Sequence, residues 1–150
     1  MPHSYVSSLV HCVFSTKDRR KIISPQLQER IWPFLSGIAR QNGMKALAVG
    51  GTDDHAHILL SLPAVMPLSK AIQLIKGGSS KWIHDNFPAQ RSFAWQEGYG
   101  AFSISISHAQ QTVAYIQTQK EHHRRKTFEE EFLSFLEKHG IEYDENHVLG

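Results

Sequence analysis

The chain has 150 residues, 41% hydrophobic and 20% charged, which is long enough for one domain with a core of its own. No apolar stretch approaches the ~20 residues that span a bilayer. The single cysteine, Cys12, excludes an internal disulfide, and the N-terminus lacks an apolar leader, so a cytoplasmic protein is expected. The formal charge of +2 is uneven. Residues 1–126 hold 15 Lys+Arg against 7 Asp+Glu, whereas residues 127–150 hold one Lys against 7 acidic residues. A basic body with an acidic tail is the distribution of a protein that meets a polyanion.

Tyr5–Ser15 is rich in β-branched and aromatic residues and predicts a strand. A basic loop, Lys17–Lys21, follows. Ser24-Pro25 opens a helix, with Ser as N-cap and Pro at the first position. Leu27, Ile31, Leu35 and Ile38 repeat at helical spacing up to Gly43, with a kink expected at Pro33. Met44–Val49 predicts a second strand, Gly50–Asp53 a turn and His55–Leu62 a third strand. A second helix is expected from Leu68 to before Pro88, with a break or a close approach at Gly77-Gly78.

Phe93–Ile106 predicts a fourth strand interrupted at Gly98–Gly100. Ser107 with Gln110, and Thr127 with Glu130, have the spacing of capping boxes. They open a helix to about His122 and a last helix with Phe128, Phe132, Phe135 and Leu136 on one face. The order β-α-β-β-α-β plus two helices predicts an α+β fold: an RRM-like or ferredoxin-like antiparallel sheet with two helices on one face. The C-terminal helices are expected on the open face or on another subunit. Residues 1–126 are expected to form the functional domain, and 127–150 an acidic helix and tail of that domain.

His55 and His57 are two apart on a strand, so both imidazoles share one face. That is half of a metal site or a pair of ordinary polar positions. Tyr115 and Gln119 are four apart and share a helical face; taken alone they read as a partly buried packing tyrosine and a solvated glutamine. Taken together they suit one chemistry. A phenolate can attack phosphorus and form a covalent intermediate, a divalent ion can polarise the phosphate, and basic clusters can hold the strand. Lys70, Lys76 and Lys81 either line a groove or form a solvated helix face. His122–Lys126 reads as a basic turn rather than a second metal site.

The residues Val13-Phe14-Ser15-Thr16-Lys17 with Arg19-Arg20, Asp54-His55-Ala56-His57-Ile58-Leu59, Ile75–Lys81, Trp95–Tyr99 and Tyr115–Gln119 span nearly the whole chain. Through them the sequence resembles the single-tyrosine HUH transposases, the small insertion-sequence enzymes and their repeat-associated relatives. The resemblance implies a metal-dependent enzyme that cleaves and rejoins single-stranded DNA at hairpin-bearing ends through a 5′-phosphotyrosine. It implies Tyr115 as nucleophile, and His55, His57 and Gln119 as ligands of Mg²⁺ or Mn²⁺. It also implies a homodimer, in which the tyrosine helix commonly completes the partner's site. Arg19, Arg20, Lys21, Lys76, Lys81 and Arg124 are the expected DNA contacts. Ala56 departs from the bulky apolar residue usual between the histidines, and it faces the opposite side of the strand. The rival reading is a non-catalytic module of the same fold that binds a nucleic-acid hairpin.

Overall fold

Strand β1 (Leu9–Ser15) is buried on both faces, and its two faces meet different partners. The computed structural model describes residues 4–119 and 126–148. Around β1 stand α1 (Pro25–Gln41), β2 (Lys45–Gly51), β3 (His55–Ser61), α2 (Leu68–Asn86), β4 (Gly100–Ile104), α3 (Ala109–Gln117) and α4 (Phe128–Lys138). The sheet order is β2-β3-β1-β4, with every pairing antiparallel. This is the expected α+β sheet. Among the described residues no helix is long and apolar enough to cross a membrane.

The period of two sorts the side chains. Cys12 and Phe14 of β1 and Ala56, Ile58 and Leu60 of β3 face α1 and α2, where Ile31, Leu35, Ile75 and Ile83 complete the main core. The alternate residues face the other way. There Leu59 packs with Ala109 and Ile116 of α3, and Val13 and Phe102 pack with Phe128, Phe132 and Leu136 of α4. The open face of the sheet is therefore covered by the chain's own C-terminal helices. Leu9 and Ala48 extend the α3 contact.

Local signals hold where the chemistry is simple. The Ser24 hydroxyl accepts the Leu27 N–H at 3.2 Å and caps α1, an interaction that contributes about 1 kcal/mol. Helix α1 continues through the exposed Pro33. Helix α2 continues through Gly77-Gly78, and a Cβ on Gly78 would stand 3.0 Å from Ile38 Cδ1, so the pair marks a close approach of α1 and α2. Thr127 and Glu130 form the expected capping box of α4.

Two expectations fail. The fourth strand begins only at Gly100, and residues 93–99 contribute a single bridge, Thr16 with Trp95. Burial takes precedence over pairing there. Trp95 is driven into the main core against Phe14 and Phe93, and its indole N–H donates to Ser79 Oγ at 2.9 Å. The Ser107 box also does not form. Its hydroxyl pairs with Ser105 and His108 instead, and α3 starts at Ala109 without a side-chain cap. Short polar side chains bond locally in just this way before a helix.

Candidate active site

His55 and His57 lie on the α3/α4 face of β3, opposite Ser15 and Val13 of β1. Both are fully buried. Each has its Nδ1 engaged. His55 Nδ1 meets Asp54 Oδ1 at 2.7 Å and Thr52 Oγ1 at 3.0 Å. His57 Nδ1 meets His11 Nε2 at 2.8 Å. Partners on Nδ1 fix the ring orientation and aim both Nε2 atoms into one space, the arrangement that prepares histidines for metal.

Helix α3 brings the other expected residues. Its approach to the sheet is close, because a Cβ on Gly50 would stand 2.5 Å from the Ile116 carbonyl oxygen. Only glycine lets that backbone meet β2. Tyr115 then lies edge-on to His57, with ring centroids 5.8 Å apart. Gln119, just beyond the C-cap Thr118, is 2% exposed. Its amide donates to the Tyr115 carbonyl at 3.1 Å, and its Oε1 lies 3.2 Å from His55 Nε2. The four residues separated in sequence thus converge.

A fifth residue joins them that sequence reasoning missed. Glu131 of α4 is 2% exposed. Its Oε1 lies 2.9 Å from His57 Nε2 and 3.6 Å from His55 Nε2. Its Oε2 accepts the hydroxyl of Tyr115. Burial, the Glu131 charge and that hydrogen bond push the phenol well above its ordinary pKa, against a smaller pull from Gln119. A signal for Glu131 was present: it lies three residues after Phe128 and four before Phe135, so a carboxylate stands on the apolar stripe of the helix.

Ligand atoms of His55, His57 and Glu131 lie within 4.8 Å of one another. Two imidazole nitrogens, a carboxylate oxygen and the Gln119 amide oxygen make a mixed N/O set that suits a divalent ion of the first-row or hard type. The donor set therefore fits the metal that the sequence suggests.

The basic residues separate into groups. Lys17, Arg20 and Lys21 are exposed, and Arg19 pairs with Glu129 of α4 at 3.0 Å. Lys17 and Arg19 line a cleft of about 780 Å³ with Trp95 and Gln96, and Glu145 and Asn146 form part of its wall. Lys76 and Lys81 stand on α2, across the sheet from Tyr115. The Lys76 ammonium donates to the carbonyls of Gln96 at 2.8 Å and of Gly98, and burial pushes it down to about 8. Lys81 pairs with Asp85 at 2.8 Å. Arg124 and the basic turn up to Arg125 lie outside the described residues.

Comparison with known proteins follows the same lines. The family pattern described as "Transposase IS200 like" matches residues 4–119. The transposases for insertion sequence element IS200 of Salmonella typhimurium and Salmonella typhi are each 25% identical over 87 residues, 58% of this chain and 57% of theirs. The chain thus matches little more than half the length of those relatives. Among solved structures, a candidate transposase from Deinococcus radiodurans R1 superposes with a TM-score of 0.65 at 23% identity, covering 79% of this chain and 96% of that one. A REP-associated tyrosine transposase bound to a REP hairpin superposes with a TM-score of 0.61 at 15% identity, covering 82% and 73%. Both likenesses are of fold. With the family pattern running from Ser4 to Gln119, the chain belongs to the IS200-like transposase family.

Proposed function

We propose that the protein cleaves and rejoins single-stranded DNA with Tyr115 as nucleophile. One observation carries the reading. The Tyr115 hydroxyl and the Nε2 atoms of His55 and His57 all face a single carboxylate, that of Glu131. A site that gathers a nucleophile and metal-ligating groups around one anion suits a phosphate ester.

In the proposed reaction Tyr115 Oη attacks phosphorus and the bond to the 3′ oxygen breaks. The strand leaves with a 3′ hydroxyl, and the 5′ phosphate stays on tyrosine. A second 3′ hydroxyl reverses the step, so no nucleotide cofactor is consumed. His55, His57 and Gln119 would hold Mg²⁺ or Mn²⁺, and the ion would supply charge to the phosphate oxygens. Asp54 and His11 orient the two histidines. Arg19, Arg20 and Lys21 would hold the strand near the site, and Lys76, Lys81 and Arg124 more distant phosphates. A hairpin substrate is favoured by likeness to the hairpin-bound relative. The expected homodimer would serve to bring two DNA ends together, since one chain carries all the proposed ligands. A purely hairpin-binding role gives the half-buried hydroxyl of Tyr115 no catalytic task.

The test is a denaturing gel after incubation with Mn²⁺ and a hairpin-bearing single strand. A covalent adduct is expected, prevented by chelator and absent in Tyr115→Phe. An undiminished adduct in Tyr115→Phe overturns the assignment.

A further inference from the structure

We propose that α4 is an intramolecular competitor of the DNA strand: Glu131 stands in the subsite of the scissile phosphate, and Glu129 stands in a flanking phosphate subsite on Arg19. The inference rests on the strand-transfer reading above and adds two phosphate positions and an occupant for them.

The site is sealed. His55 and His57 have no exposed surface, and Gln119 has 2%. The element over them is α4. Phe128 lies against the His55 ring at 4.8 Å, and Phe135 lies edge-on to Tyr115 at 5.7 Å and to His11 at 5.1 Å. A phosphorus beside Tyr115 Oη, with one oxygen towards the histidine Nε2 atoms, must take the space that the Glu131 carboxylate fills. The carboxylate bridges those same groups with its two oxygens.

The second contact repeats the relation. Glu129, two residues earlier on the same helix, holds Arg19 at 3.0 Å, and Arg19 belongs to the basic loop that would grip the backbone. Further along the tail, Glu145 forms part of the wall of the same Lys17/Arg19 cleft. Carboxylates of the acidic segment thus stand against the groups suited to phosphates, as a polyanion would. The carboxylates of α4 mark where the strand binds, and the strand enters when α4 leaves. Helix α4 has 11 residues. A helix that short is marginal without its packing, so its displacement exposes its amides.

The experiment uses the full chain, a fluorescein-labelled single-stranded oligodeoxythymidine and no divalent ion. Affinity is read by anisotropy for the wild type, for Glu129→Gln/Glu131→Gln, and for Glu137→Gln/Glu142→Gln. The last pair makes the same charge change at exposed positions of the tail. The first pair is expected to bind several-fold tighter than both others. In the wild type, amide hydrogen exchange of residues 128–136 is expected to accelerate when the strand binds. Equal gains in the two double variants would reduce the effect to net charge and overturn the inference. Added protection of 128–136 on binding would make α4 part of the bound site and overturn it too. Failure of all three proteins to bind the strand defeats the strand-transfer reading itself, and the inference falls with it.

Discussion

Nε2 of His11 lies 2.8 Å from Nδ1 of His57, inside the sheet face that carries Tyr115. Beside an ionised Glu131, which only accepts, the 2.9 Å contact requires the His57 proton on Nε2. An ion at that place takes the Nε2 lone pair, so the proton must sit on Nδ1 and be donated to His11. An imidazole partner can serve either arrangement, since its nitrogen accepts in one tautomer and donates in the other. His11→Phe is therefore expected to weaken Mn²⁺ binding by about 10–100-fold, measured by titration calorimetry. His11→Gln, whose amide also donates or accepts, should recover part of the loss. Equal affinities in wild type and His11→Phe would show that His57 needs no such partner.

Burial and the neighbouring His57 push the His11 pKa from 6.5 down to about 3. The unfolded chain therefore binds more protons than the native one between those values, and stability must fall as pH falls through that window. The slope from this residue is at most about 1.4 kcal/mol per pH unit. Its contribution to the slope is halved at pH 6.5 and fades above it. Urea midpoints measured against pH should drop less steeply in His11→Gln than in the wild type over this range. Parallel curves would place the acid sensitivity elsewhere.

Gly50 and Gly37 predict opposite outcomes for one substitution. A Cβ on Gly50 meets the Ile116 backbone, whereas a Cβ on Gly37, inside α1, meets nothing within 4 Å. Gly50→Ala should cost roughly 1–3 kcal/mol, as overpacking does. It should also lower adduct formation beyond the loss of folded protein, because the displaced helix carries Tyr115. Gly37→Ala should stabilise by roughly 0.5–1 kcal/mol through helix propensity with adduct formation unchanged. Denaturant unfolding beside the gel assay checks both.

What was legible in the sequence follows from the range of each signal. His55 and His57 share a face because strand period is local, and Tyr115 and Gln119 meet because helix spacing is local. The assembly of those two pairs across 64 residues, seen in the His55–Gln119 contact, came from family resemblance rather than from spacing. Glu131 was passed over for a different reason. The acidic tail reads as a surplus of charge, and a count of charges ignores that Glu131 falls on the stripe of Phe128 and Phe135. His11 reads as a sheet residue until the β1–β3 register brings it beside His57. The late start of β4 was missed because the apolar run from Phe93 to Trp95 satisfies the core equally well as loop.

Metal binding should be visible as stability. A ligand that binds only the native state contributes about 2.7 kcal/mol at a free concentration a hundred times its dissociation constant, so Mn²⁺ is expected to raise the melting temperature and chelator to reverse the rise. The variants separate two versions of the ligand set. Gln119 and Glu131 both present an oxygen within 3.6 Å of a histidine Nε2. If both coordinate in the closed form, Gln119→Ala and Glu131→Gln each lose part of the Mn²⁺-induced shift, and His57→Ala loses all of it. If Glu131 is only an occupant of the phosphate position, Glu131→Gln keeps the full shift while Gln119→Ala does not. The geometry favours the first outcome, because the Glu131 oxygen is the nearer of the two to a histidine nitrogen and carries the charge.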